Sequence, residues 1–269
     1  MPSTFDVAGP GKGSKKKPRG QPEIIVPEIL SPSEWVRTYL KFEPDPVQIR
    51  VLDAVTNRGI LNCTRQWGKS TTSAAKAVHQ AMTEDKSLTI VVSPTARQSG
   101  EFVRKASEFL AQLDVMPKGD GDNEISLAFP NGSRIVGLPG TEATVRGFSK
   151  VALLLVDEAS RVCDELYMAV RPMLAVSGGK LWLMSTPHGK CGFFYETWEN
   201  GGRDWERVRV AAADCPRIPA SFLEEEMATL GERYFRQEYC CEFRELEDGV
   251  FDRESLENAF SNDIEPLKL

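Results

Sequence analysis

The sequence predicts an α/β fold with a central, mostly parallel sheet flanked by helices. Three observations carry this. Short apolar runs alternate with helix-forming runs over residues 59–113 and again over 151–211, the pattern of strand–helix–strand crossovers. The segment Thr64-Arg65-Gln66-Trp67-Gly68-Lys69-Ser70-Thr71 joins one apolar run to a helix-forming run as a loop, with a glycine and a lysine at the junction. Val151-Ala152-Leu153-Leu154-Leu155-Val156 is apolar throughout, as a strand buried on both faces must be, and Asp157-Glu158-Ala159 follows it.

The elements are predicted in order. Residues 1–28 hold Lys12, Lys15, Lys16, Lys17 and Arg19 among Gly, Pro and Ser, a composition that cannot build a packed core. They read as a disordered basic tail, either solubilising or touching DNA or a partner. Trp35, Val36, Tyr39 and Leu40 make 33–41 a short amphipathic helix, which Phe42-Glu43-Pro44-Asp45-Pro46 breaks. A second helix, 47–55, has Gln48 near its start. Strand 59–64, helix 70–83, strand 87–93 and helix 96–113 follow. Asn131-Gly132 marks a tight turn between strands 125–129 and 134–138. The parallel pattern resumes with strand 151–156, helix 164–175, strand 180–185 and strand 205–211. A long helix over 221–243 begins with a capping-type Ser221-x-x-Glu224 and places Met227, Leu230, Tyr234 and Tyr239 at apolar positions.

The loop's chemistry is that of phosphate binding. A loop entering a helix offers unpaired N–H groups and the positive end of the helix dipole to an anion. Thr64 through Thr71 would cradle a nucleotide's phosphates, Lys69 would reach the β- and γ-phosphates, and Ser70 would hold Mg²⁺. The general pattern G-x-x-x-x-G-K-[ST] has glycine where this chain has Cys63. Two acids at the end of a buried strand are costly unless they serve a cation. Asp157 is therefore assigned to the metal and Glu158 to the attacking water; the bland alternative is a solvated acidic cap. The fold class becomes a P-loop NTPase of the ASCE, RecA-like kind, with its ATPase domain over 29–247.

The segments from about 42 to 260 resemble the large terminase subunit of tailed double-stranded DNA viruses, the ATP-driven motor that packages a genome into a preformed capsid. In the loop, Arg65 and Gln66 ahead of Gly68-Lys69 are similar to that family's deviant form. The resemblance makes Phe42–Val55, with Gln48, an adenine-reading segment, Ser185-Thr186-Pro187 a coupling motif that continues into Gly189–Tyr195, and Phe235–Phe243 the helix that closes the domain. It implies that Arg65 either senses phosphate or forms a surface salt bridge. Arg146, in a glycine-flanked loop before the acidic strand, resembles a finger acting in trans on a neighbouring subunit; a salt bridge within its own cleft is the other reading. ATP and Mg²⁺ are the implied cofactors. Double-stranded DNA, a portal protein, a small terminase subunit and a homo-oligomeric ring on the capsid are the implied partners, with a monomer in isolation. The family continues into a metal-dependent nuclease domain, so 248–269 reads as the start of a linker toward it, with no nuclease activity expected here.

Bulk composition bounds the rest. The net charge of −6 argues against a surface that coats nucleic acid generally. No apolar run reaches the length of a membrane span. The six cysteines (63, 163, 191, 215, 240, 241) lack C-x-x-C or metal spacing, as do His79 and His188; buried thiols in a reducing host cytoplasm are expected. Two other functions fit the same motifs. A helicase-like nucleic-acid-dependent ATPase would share them but needs a second RecA-like domain, and a nucleotide-gated structural module of a capsid vertex would not need Glu158.

Overall fold

The computed structural model describes residues 30–116, 118–123, 125–139 and 147–245. The basic tail, Arg146 and residues 248–269 lie outside the described residues. Within them, seven strands form one sheet: β1 (Arg58–Cys63), β2 (Leu88–Ser93), β3 (Ser126–Ala128), β4 (Arg134–Pro139), β5 (Leu153–Asp157), β6 (Lys180–Ser185) and β7 (Glu206–Val210). Their order is β3-β4-β2-β5-β6-β1-β7. All neighbours are parallel except β3, which pairs antiparallel with β4 across the Asn131-Gly132 turn. The expected P-loop NTPase architecture is therefore present. β6 lies between β1, which feeds the loop, and β5, which carries the acid pair.

Alternation along each central strand builds two cores. Leu61, Val91, Leu155, Trp182 and Met184 face one layer, formed by α1 (Pro32–Leu40), α2 (Pro46–Asp53), α3 (Lys69–Thr83) and α4 (Ala96–Gln112). Ile60, Ile90, Leu154, Val156 and Leu183 face the other, with α5 (Asp164–Val170) and α6 (Gly192–Asn200). Gly59 pairs with Trp182, and a methyl group on Gly59 would stand 2.3 Å from the indole. Only glycine lets β1 pass that ring.

Several element boundaries differ from expectation. The helix expected over 164–175 is α5 to Val170 and then a 3₁₀ turn, Arg171–Leu174, because Pro172 has no N–H to continue the ladder. Helix α6 was not anticipated. The last helix, α7, runs Ala220–Glu238, starts at Pro219 with no side-chain cap, and is interrupted at Gly231 (φ 78°). Ser221 therefore sits inside the first turn, where its hydroxyl cannot act as the N-cap. The helix stops at Glu238 because the next residues turn inward: Tyr239 O accepts from Ala212 N (2.7 Å) and Cys241 O from Asn62 Nδ2 (3.1 Å). Met227, Leu230 and Tyr234 are 40–46 % exposed, so the expected apolar face of α7 does not join the core.

Of the six free thiols, Cys63, Cys215 and Cys241 are buried, whereas Cys163 and Cys191 are exposed and Cys240 is intermediate. Among the described residues, no helix is long and apolar enough to cross a membrane.

Candidate active site

The chain's chemistry gathers at the carboxyl ends of β1, β5 and β6, where an open parallel sheet places its ligand cleft. The cleft has about 500 Å³ and is lined by the loop from Arg65 to Thr71 together with Phe42, Gln48, Lys105, Glu158 and Arg217. The loop needs two left-handed residues to turn from β1 into α3: Gln66 (φ 64°) and Gly68 (φ 99°), the residue that caps α3. Trp67 between them is buried and ties the loop to the α-helical layer. Thr64 is fully buried; its hydroxyl donates to Glu238 O at 3.1 Å.

Lys69 is buried and its Nζ donates to the carbonyls of Cys63 (2.8 Å) and Thr64 (3.1 Å). The ammonium thus braces the loop from within, beside the anion site that the α3 N-terminus provides. Ser70 Oγ donates to Asp157 Oδ2 at 3.2 Å across 87 residues of sequence. Burial, then the neighbouring Glu158 charge, pushes the Asp157 carboxyl up to about 6, while Lys69 and the Ser70 hydroxyl pull the other way. A hard divalent cation fits this chemistry: a hydroxyl and a carboxylate oxygen side by side, on an acid that gains from positive charge. Among the described residues no three His, Cys, Asp or Glu side chains could hold a metal by themselves. Mg²⁺ is commonly held by one or two carboxylates together with substrate phosphates and water, and Ser70 and Asp157 are the residues that would supply the protein's share.

Glu158 adopts a left-handed conformation (φ 50°, ψ 44°), unusual for a non-glycine residue and worth about 1–3 kcal/mol of strain. Its side chain lines the cleft. Ser160 holds the neighbouring strand end: its Oγ lies 2.7 Å from Ser185 Oγ and donates to Thr186 O at 2.8 Å. Ser185 Oγ in turn stands 3.5 Å from Glu158 Oε2. Ser185, Thr186 and Pro187 are all buried at this junction.

Two of the expected nucleotide ligands are also held by partners within the protein. Gln48 lines the cleft but is 1 % exposed, and its amide is engaged: Oε1 accepts from Asp45 N (2.9 Å) and Nε2 donates to Trp67 O (3.1 Å). Arg65 lines the cleft and pairs with the buried Glu238, Nε to Oε2 at 2.8 Å; Arg161 approaches the other oxygen at 3.6 Å. Ser160, Lys105, Glu238 and Arg217 were not singled out from the sequence. Ser160 is next but one to Glu158, a proximity that could have flagged it. Nothing in the spacing of Pro216-Arg217-Ile218-Pro219 points to the cleft.

Comparison with known proteins bears on this assembly. A family model described as the terminase large subunit, T4likevirus-type, N-terminal, matches residues 60–258. The large terminase subunit of Thermus phage G20c is 24 % identical over 258 residues, covering 82 % of this chain and 53 % of that protein. That of Escherichia phage T5 is 30 % identical over 138 residues, 49 % of this chain and 31 % of the relative. The chain spans about half the length of the first of these relatives. Among solved structures, the large terminase ATPase domain of Thermus phage P74-26 superposes with a TM-score of 0.70 at 22 % identity, over 80 % of this chain and 99 % of that one. The large terminase of the thermophilic bacteriophage D6E, in complex with ADP, gives 0.60 at 14 % identity, over 79 % and 53 %.

Proposed function

The chain belongs to the T4likevirus-type terminase large-subunit family, matching its N-terminal part, and on that premise we propose that it is an ATP-hydrolysing motor domain that drives double-stranded DNA into a viral procapsid. The observation that carries the reading is the contact of Ser70 Oγ with Asp157 Oδ2, which joins the phosphate loop to the acidic strand beside Glu158. The loop N–H groups and the α3 dipole hold the phosphates. Lys69 releases its two carbonyls and turns its ammonium to the β- and γ-phosphates, as a point charge at that position does in P-loop enzymes. Ser70 and Asp157 would hold Mg²⁺, which when bound would supply positive charge opposite the phosphates. Glu158 orients the attacking water and takes its proton. Arg65 adds a second cation near the phosphates, Gln48 serves the base, and Ser185-Thr186-Pro187 transmit the state of the γ-phosphate along β6. The working partners are the DNA, a portal protein, a small terminase subunit and further copies of the chain in a ring, in the host cytoplasm.

Site-directed variants test the assignment. Lys69→Ala abolishes ATP turnover with the fold retained by circular dichroism. Glu158→Gln still binds ATP but hydrolyses it at least about a hundredfold more slowly, the usual loss when a general base is removed. Wild-type phosphate release from both variants would dismiss this site.

A further inference from the structure

We propose that Arg217 is a nucleotide-binding residue for the base end of this cleft, supplied by the turn between β7 and α7; the inference rests on the ATP-binding reading of the same cleft. The turn is well anchored. Cys215 before it is buried, Ile218 after it packs on the α1–α4 core, and Ile218 N donates to Cys215 O at 3.0 Å. Pro216 and Pro219 restrict the backbone on either side. The guanidinium projects into the cleft, donates to the Trp67 carbonyl, and pairs with Asp45 Oδ2 at 3.1 Å. Asp45 is the residue that caps α2, and Gln48 Nε2 reaches the same Trp67 carbonyl at 3.1 Å.

One end of the cleft therefore collects the fixed Gln48 amide and the Arg217 guanidinium at the Trp67 carbonyl, and Phe42 lines the same cleft. The other end holds the loop amides, Lys69, Ser70 and Glu158. Arg217's positive charge is already matched by Asp45, so it adds little attraction for phosphate. What remains available is its flat face, since the side chain is 45 % exposed. A guanidinium plane stacks on an aromatic ring where an ammonium cannot. The chemistry at this end is thus that of a planar heterocyclic base, held by stacking on Arg217.

The decisive variants are Arg217→Lys, which keeps the ion pair with Asp45 but loses the plane, and Arg217→Ala. Binding of ATP and of inorganic tripolyphosphate is measured by displacement of a ribose-labelled fluorescent ATP analogue, with no turnover required. Both variants should bind ATP about tenfold more weakly, the scale of one lost base-stacking contact, while tripolyphosphate affinity stays within about twofold of wild type. Equal losses for ATP and tripolyphosphate would overturn the proposal, because Arg217 would then serve only to hold the loop through Trp67. Full recovery in Arg217→Lys would also overturn it, leaving a point charge, and so would unchanged ATP affinity in both variants. Failure of the wild-type chain to bind either ligand would instead dismiss the ATPase reading itself.

Discussion

Lys76 shows how a single buried cation shapes this molecule. It lies on α3 two turns past the phosphate loop, donates to the carbonyls of Val51 and Leu52 at 2.9 Å, and sits 4.9 Å from the Trp182 ring centre. Those carbonyls end α2, so the ammonium meets the negative end of a helix dipole. Burial nevertheless lowers its pKa to about 7, with Lys180 adding to the effect. The unfolded chain keeps this proton up to the ordinary lysine value near 10.4. Between about 7 and that value the unfolded state binds more protons, so stability rises with pH; it is lost again as pH falls through about 7. The urea midpoint of the wild type should climb from pH 7 to 9, with a contribution approaching about 1.4 kcal/mol per pH unit. Lys76→Met should flatten that part of the profile; an identical slope in the variant would show that Lys76 stays charged. Residues of this kind also mark what a sequence reveals. Lys69 and Ser70, where a loop enters α3, and Asp157 and Glu158, at the end of β5, stand out in the sequence because each pair sits in a local pattern that phosphate chemistry requires. Lys76, Arg217 and Glu238 do not, because their partners come from distant segments that no local spacing encodes.

Between elements, the tightest constraint is the passage of β1 beside β6. Gly59→Ala would place a methyl group within 2.5 Å of three Trp182 ring atoms, a clash that neither a paired strand nor a packed indole can relax fully. Overpacking of this kind costs about 1–3 kcal/mol, and the melting temperature should fall by about 5 °C or more. Adding Trp182→Leu should return part of the loss, because the two changes share one contact. Strictly additive losses in the double variant would place the strain elsewhere. The strands were well read from sequence because burial on both faces leaves continuous apolar runs. The helices were read less well, and α7 shows why. Its apolar spacing is real, yet of its nineteen residues only Glu238 is buried. Periodicity reports that a face exists and says nothing about what covers it. α6 is hard to see in the sequence because Gly189–Tyr195 continues the coupling motif, which masks the helical placing of Phe193, Phe194 and Trp198.

At the scale of the whole molecule, we propose that a second copy of the chain completes the site. Arg146 precedes β5 and is proposed to act on a neighbouring subunit. If so, ATPase activity should rise more than linearly with protein concentration. Mixing inactive Arg146→Ala chains with inactive Glu158→Gln chains should then restore part of the rate, because some interfaces pair an intact Glu158 with an intact Arg146. No recovery where wild-type chains assemble would return Arg146 to a salt bridge within its own subunit. The parallel sheet was legible from the alternation of elements, but its strand order was not, since a crossover can skip neighbours without changing length. That order carries a consequence for the life of the chain. Arg58 of β1 pairs with Leu181 of β6, Gly59 pairs with Glu206 of β7, and Thr64 reaches Glu238 across 174 residues. Among the described strands β1 leaves the ribosome first, and it has no neighbour to bond until β6, at Lys180–Ser185, has been synthesised. Loop closure over such spans makes folding slow. The phosphate loop that begins at the end of β1 must therefore be among the last parts to take shape, and a nascent chain halted before β6 should form β2, β4 and β5 while remaining unable to retain nucleotide.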